Sequence, residues 1–467
     1  MQETLVLLSV FTPIVGAFVL PLLGAVSKGA RNYFALLLIA ISCLASLFLL
    51  PYVASGGALV FFVFNIDALA VFMASISSFI GLIIVLYSLD YVSHYENQNE
   101  YYFMVILFLG AMMGLVYSDN LIALFIFWEI TALACWRLIG FFRSPKDVLK
   151  ADKAFLITVF GAVVMLLGFV GIFGLTGTFQ LSAMTGKVIP GLLVGFIMVG
   201  LLSKSATFPF HTWLPDAGVA PSPVTALLHA AVLVKIGVYV FARLFLATFH
   251  IDGFWHVFIP GLAAVSMLVS AGAAMIDTDM KRIIAYSTVS QIAFIFLGLS
   301  VGNATGAIGG LLYIMMHGLA KGGLFLSAGV IEQNMKTKDI TKLGGLIRTM
   351  PVLAIAFLFC SFSVMGMPPF GGFFAKYLVI LGAVQTNHII LASVYIVGAF
   401  MTILYLTRLF SMIFLGEPKG LLVKEGSFLM VFCVALLAAL SLLGGIFINY
   451  PFNFMEIVVK SMPGVLR

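Results

Sequence analysis

Apolar stretches of about 20 residues follow one another almost from end to end of this chain, separated by short polar connections; each can cross a hydrocarbon core about 30 Å thick. That pattern predicts an all-α polytopic membrane protein. The expected spans cover 3–24, 32–53, 67–90, 101–118, 120–142, 153–176, 189–210, 221–247, 254–275, 282–301, 305–331, 350–384, 388–415 and 426–449, about fourteen in all by the length rule. Composition agrees: 63% of the 467 residues are hydrophobic and 9% charged, against about 25% charged in soluble domains. The first stretch lies between Glu3 and Lys28 and lacks the basic leader and small-residue cleavage site of a signal peptide, so it reads as a helix.

Charge placement adds an orientation. With the N-terminus outside, the cytoplasmic loops collect Lys28, Arg31, Arg143, Lys146, Lys150, Lys153, Lys281, Arg282, Lys336, Lys338, Lys342, Arg348, Lys419 and Lys424, while the opposite face keeps Lys187, Lys460 and Arg467. The asymmetry predicts an even number of crossings of the cell membrane with both termini on the outer side. It also accounts for the formal charge of +6 without nucleic acid, because the basic residues are dispersed rather than gathered in one tract. Cys43, Cys135, Cys360 and Cys433 each lie in an apolar run with no metal-binding spacing, which reads as buried thiols. The sequence has no phosphate cradle, zinc spacing or nucleophile elbow, so neither a cofactor nor a metal is expected.

Two spans do not read as continuous helices. Lys204 to Phe210, with Pro209, and Gly366 to Gly372, with Pro368 and Pro369, place helix breakers at membrane depth. They occupy corresponding places in two successive blocks, as in transporters whose discontinuous helices build an ion site. A simple kink is the alternative for either one alone.

Ionisable residues inside such spans cost roughly 2.5–3.5 kcal/mol each on insertion scales and mark functional sites by default. Glu129, in Leu124 to Thr131, needs a cation to stay charged there, and Lys204 beside the first break is the natural partner. Arg137, two turns on, competes for that carboxylate. A fixed pair that only holds helices together is the structural alternative. Lys235 is too far from either loop to snorkel, and His229 lies just short of two turns before it. His317 and Lys321 are four residues apart and share a helix face, which suits a proton relay. Lys376 follows the second break as Lys204 precedes the first. Arg243 and Arg408, near span ends, are expected to snorkel.

The run His211 to Lys235, containing WLPDA and APSPVTALLH, and the run DTDMKRIIAYSTVSQ at 277–291 resemble the signatures of the antiporter-like membrane subunits shared by respiratory complex I, Mrp-type cation/proton antiporters and membrane-bound hydrogenases. The resemblance covers nearly the whole chain. It implies one membrane domain over 1–467: three helices in 1–100, a first five-helix repeat in 101–247, an inverted second repeat in 248–416, and a last helix with the C-terminus in 417–467. It equates Glu129, Lys204, Lys235 and Lys376 with the family's intramembrane glutamate and lysines, and His317 and Lys321 with its HxxxK helix. The short end after the last helix looks more like the D-type Mrp subunit or a hydrogenase homologue than the most distal complex I subunit.

The expected function is proton translocation, with Na+/H+ exchange as a variant, inside a larger oxidoreductase complex. The chain has no redox site of its own, so partners must supply energy: other membrane subunits and peripheral iron–sulfur subunits. A D-type Mrp antiporter subunit without a redox arm is the alternative, and a scaffold whose charges only fix assembly is a third. The expected path starts at a switchable Glu129–Lys204 pair and runs through Lys235, past His317 and Lys321, to Lys376. Sodium prefers oxygen ligands, so a path lined by lysine and histidine favours protons.

Overall fold

The computed structural model describes residues 1–419 and 424–465; Arg467, counted above in the outer-face charge, lies outside them. The chain is a polytopic all-α membrane protein. Among the described residues, twelve helices are long and apolar enough to cross a membrane, and three shorter apolar helices accompany them, Gly191–Lys204, Pro351–Met365 and Gly371–Gln385.

Polar caps set many of the starts. Ser27, Asp67, Asn120, Asn303 and Ser427 each accept a hydrogen bond from a backbone N–H of the first turn that follows, satisfying donors that a helix leaves unpaired. The expected 153–176 span begins earlier, at Pro145, because Ser144 caps the Pro145–Thr176 helix and proline suits its first position. The 189–210 span stops at Lys204, and the 350–384 span breaks after Met365, where Gly366 takes φ 84°. Both breaks carry a cis peptide, Phe208–Pro209 and Pro368–Pro369. The expected helix 221–247 is instead Ser222–Ala226, a π-turn Leu227–Ala231, Leu233–Phe241 and a second π-turn Ala242–Leu246. Two features fall outside the sequence expectation: an antiparallel hairpin pairing Leu59–Phe61 with Phe64–Ile66, and a helix Asn449–Lys460.

The chain forms two compact units. The first comprises Met1–Ser205, Val232–Gly253 and Glu456–Arg467. Its interior is the mostly buried pair Ala68–Tyr91 and Gln98–Tyr117, whereas Pro145–Thr176 turns Leu156 and Phe160 outward, as a lipid-facing helix does. Glycine sets the approach of the helices that carry charge. A Cβ on Gly237 would stand 2.5 Å from the Leu201 carbonyl oxygen and 2.9 Å from Ser205 Cβ, so glycine lets the Lys235 helix lie against the Lys204 helix.

The second unit comprises Ala206–Ala231 and Phe254–Met455. Met280–Ser300 and Ala304–Met335 are buried along nearly their whole length. Gly309 lets Ala304–Met335 close on Gly371–Gln385, since a Cβ there would meet the Val379 nitrogen at 2.6 Å. These packed helices carry Gln291, His317, Lys321 and Lys376.

Candidate proton-conducting site

In the first unit, Lys204 ends the Gly191–Lys204 helix and is wholly buried. Its Nζ donates to the Trp128 carbonyl at 3.1 Å and stands 5.2 Å from the centre of the Trp128 ring. Glu129 follows Trp128, is half-buried, and has one carboxylate oxygen, Oε1, enclosed without a hydrogen-bond partner among the described residues. Lys204 and Glu129 feel each other's charge, yet the ammonium is docked on a carbonyl and not on the carboxylate. The structure thus places the two residues near one another with the lysine on the Trp128 carbonyl.

Arg137 does not compete for Glu129. Its guanidinium pairs with Glu100, Nη2 meeting Oε2 at 2.9 Å, and Arg143 reaches the same oxygen at 2.6 Å. Sequence spacing along one helix missed this partner because Glu100 belongs to another, Gln98–Tyr117.

Lys235 is wholly buried in Leu233–Phe241. Tyr239 follows one turn on, and Arg243 after it does not snorkel: it is 3% exposed and forms a forked pair with Asp67, with Nη2 also 3.1 Å from the Tyr239 hydroxyl. Arginine matches a carboxylate in this two-point geometry, which makes burial tolerable. Burial alone would raise the Asp67 carboxyl, but the Arg243 guanidinium and the Ala70 N–H outweigh it and hold that carboxyl below its usual range. Arg408 donates to the Asp277 carbonyl at 3.0 Å.

In the second unit, the His229 ring lies 4.4 Å from that of Phe325. Lys321 Nζ donates to the Ile284 carbonyl at 3.1 Å and to Ser287 Oγ at 2.6 Å. From Ser287 a buried polar string continues. Tyr405 donates to Ser287 at 2.8 Å, Gln291 Nε2 lies 3.3 Å from the Tyr405 hydroxyl, and Tyr313 donates to Gln291 Oε1 at 2.6 Å. The Tyr313 ring meets His317 edge-on at 5.8 Å and Lys376 Nζ at 5.6 Å. Lys376 also stands 4.5 Å from the Phe294 ring and donates to the Val364 carbonyl at 2.7 Å, just before the break. Proline and the broken turn free such carbonyls, and a lysine occupies one.

The two signature runs meet in this unit. Arg282 Nη1 bonds Asp216 at 2.7 Å and its Nε bonds Asp277 at 2.9 Å, while Lys281 Nζ bonds Glu332 at 2.8 Å and the Ala220 carbonyl at 2.9 Å. Sequence reading took these two runs as family signatures. It assigned no role to Ser287 or Gln291, although both are polar residues inside a span, and Tyr313 and Tyr405 gave no signal among so many aromatic residues.

Residues 118–402, more than half of the chain, match the model of the family described as NADH:quinone oxidoreductase/Mrp antiporter, TM, and residues 52–102 match that of the N-terminus of NADH-ubiquinone oxidoreductase (complex I) chain 5. The chain is 35% identical over 439 residues to the A-type Na(+)/H(+) antiporter subunit of Alkalihalophilus pseudofirmus, covering 86% of this chain and 54% of that protein. It is 31% identical over 441 residues to the probable K(+)/H(+) antiporter A/B-type subunit of Rhizobium meliloti, covering 89% and 44%. It thus spans about half the length of the curated relatives it matches, and these carry A-type names where the sequence pointed to a D-type subunit. In fold it is similar to a chain of the Mrp complex from Dietzia sp. DQ12-45-1b, with a TM-score of 0.90 at 21% identity over 98% of this chain and 97% of that one. It is equally similar to a chain of the membrane-bound sulfane sulfur reductase, an archaeal respiratory membrane complex, with a TM-score of 0.90 at 22% identity over 99% and 98%. The chain belongs to the NADH:quinone oxidoreductase/Mrp antiporter family of membrane subunits.

Proposed function

We propose that this chain is a proton-conducting subunit of a multi-subunit cation/proton antiporter of the Mrp type, without a redox arm, in the cell membrane. The observation that carries the reading is the set of buried lysines, Lys204, Lys235, Lys321 and Lys376, each 0–4% exposed, a cost that conduction explains and scaffolding does not. The antiporter names of the sequence relatives favour this over the redox-driven complex. Likeness to the sulfur reductase chain is one of fold.

Each unit supplies part of the path. In the first, Lys204 holds a proton when Glu129 closes on it and gives it up toward Lys235 when the pair opens. In the second, His229, His317 and Lys321 pass protons along the polar string to Lys376. Counting Gly191–Lys204 as one crossing and Pro351–Met365 with Gly371–Gln385 as halves of another gives fourteen crossings, with both termini on the outer face. The five-helix repeats at 101–247 and 248–416 are part of the same reading. Neighbouring membrane subunits complete the cation path, and protons, with Na+ as the exchanged cation, are the transported species.

The test is cation-driven proton movement in native membrane vesicles. Glu129→Gln and Lys204→Ala are each expected to reduce exchange at least 10-fold with the chain inserted at normal levels. Wild-type exchange in both variants would overturn the reading, and so would co-purification of iron–sulfur subunits with no exchange in the wild type.

A further inference from the structure

Lys281 is a buried lysine that the path above does not use. It lies in the first turn of Met280–Ser300, is 1% exposed, and its Nζ is held by Glu332 Oε2 at 2.8 Å and the Ala220 carbonyl at 2.9 Å. Glu332 lies near the end of Ala304–Met335, and its side chain keeps 26% of its surface exposed. The same carboxylate oxygen receives the Ser222 hydroxyl at 3.3 Å. Lys338 and Asp279 pair with each other alongside, at 3.6 Å, and both act on Lys281.

The two helices that bear this pair make further polar contacts with each other. Further along the same two helices, Ser287 bonds Lys321, and beyond that Gln291 bonds Tyr313. Lys281–Glu332, Ser287–Lys321 and Gln291–Tyr313 are thus three rungs of one ladder, which begins at a partly solvated carboxylate and ends beside Lys376. A fixed clamp has no need of a carboxylate open to water at one end and a string of buried hydroxyls at the other.

We propose that Glu332 is the mouth of the second unit's proton path, with Lys281 as the positioning residue that returns its carboxylate to the charged state. This rests on the proton-conducting reading of Lys321. Glu332 takes up one proton from solvent and its ion pair with Lys281 loosens; the proton then leaves inward to the Lys321 amine, and the carboxylate and its pair re-form. One proton enters and one is held on Lys321, and no other group changes. Transfer in the opposite direction uses the same steps reversed.

Three variants, measured by cation-driven proton exchange in native vesicles together with the amount of chain in the purified complex, test this. Glu332→Gln is expected to lower exchange at least 10-fold. Lys281→Met combined with Glu332→Gln removes both charges, so that no unpaired charge stays buried; it is expected to restore complex levels without restoring exchange. Glu332→Asp is expected to recover a measurable part of the activity, since a carboxylate remains. Wild-type exchange in the double variant would overturn the proposal and make the pair a clamp. Absence of exchange in the wild-type vesicles would instead count against the proton-conducting reading itself.

Discussion

Arg137 lies two turns beyond Glu129, yet its guanidinium ends on Glu100, and Arg243, near a span end, ends on Asp67. Both arginines are held by forked carboxylate contacts, which are strong and geometrically fixed. The lysines differ. Lys204 and Lys376, each beside a helix break, rest on single backbone carbonyls, those of Trp128 and Val364, a setting from which a charge can be withdrawn at lower cost than from a two-point pair. Asp67 gives a measurable consequence. Its folded carboxyl is held below the ordinary range, chiefly by Arg243 acting against burial, so the ionised group favours the native state. That contribution is complete above the ordinary carboxylate value and is lost as pH falls through the lower folded value. Asp67→Asn is expected to cost on the order of 3 kcal/mol at neutral pH by stranding Arg243, and to flatten the acid limb of a thermal-unfolding series on the purified complex. An unchanged acid limb would show that the pair contributes nothing to stability.

Helices in this chain announce themselves by hydropathy, and what the sequence leaves hidden are the places where they deviate. Pro209 and the 366–372 cluster revealed both breaks, because proline and glycine act through backbone sterics that composition exposes. The π-turns at Leu227–Ala231 and Ala242–Leu246 had no such marker. An extra residue per turn changes no residue type, and such bulges recur at functional sites; here one holds His229 and the other holds Arg243. The hairpin at 59–66 was hidden for a different reason, being too short and apolar to stand out between two spans. Gly237 tests the packing that the breaks and bulges permit. Gly237→Val would drive side-chain atoms into the Leu201 carbonyl and Ser205, costing about 1–3 kcal/mol by overpacking. It is expected to slow exchange more than it lowers melting temperature, because it moves the helix of Lys235 relative to Lys204. Melting loss without any change in exchange would mean that the spacing of the two lysines is unimportant.

Across the molecule, buried charge is spread over both units and not gathered into one centre. Glu129, Lys204 and Lys235 belong to the first, and His229, His317, Lys321 and Lys376 to the second. All seven were legible as rare ionisable residues in apolar runs, since the membrane penalises them wherever they occur. Their partners were not, because a carbonyl such as that of Trp128 or Val364 belongs to every residue and only the fold selects one. If the two sets act in series, Lys376→Ala lowers exchange to background; if each set conducts independently, about half should remain. The rate of pH change after a Na+ step in vesicles separates these outcomes.

The docking of Lys204 beside Trp128 has an optical consequence. An ammonium 5.2 Å from an indole centre perturbs that ring's excited state, and the chain has only four tryptophans, at 128, 136, 213 and 255. Replacing the other three by phenylalanine leaves a single emitter seated against the lysine. Its colour and lifetime would then follow arrival and departure of charge at that position during turnover, without any attached dye.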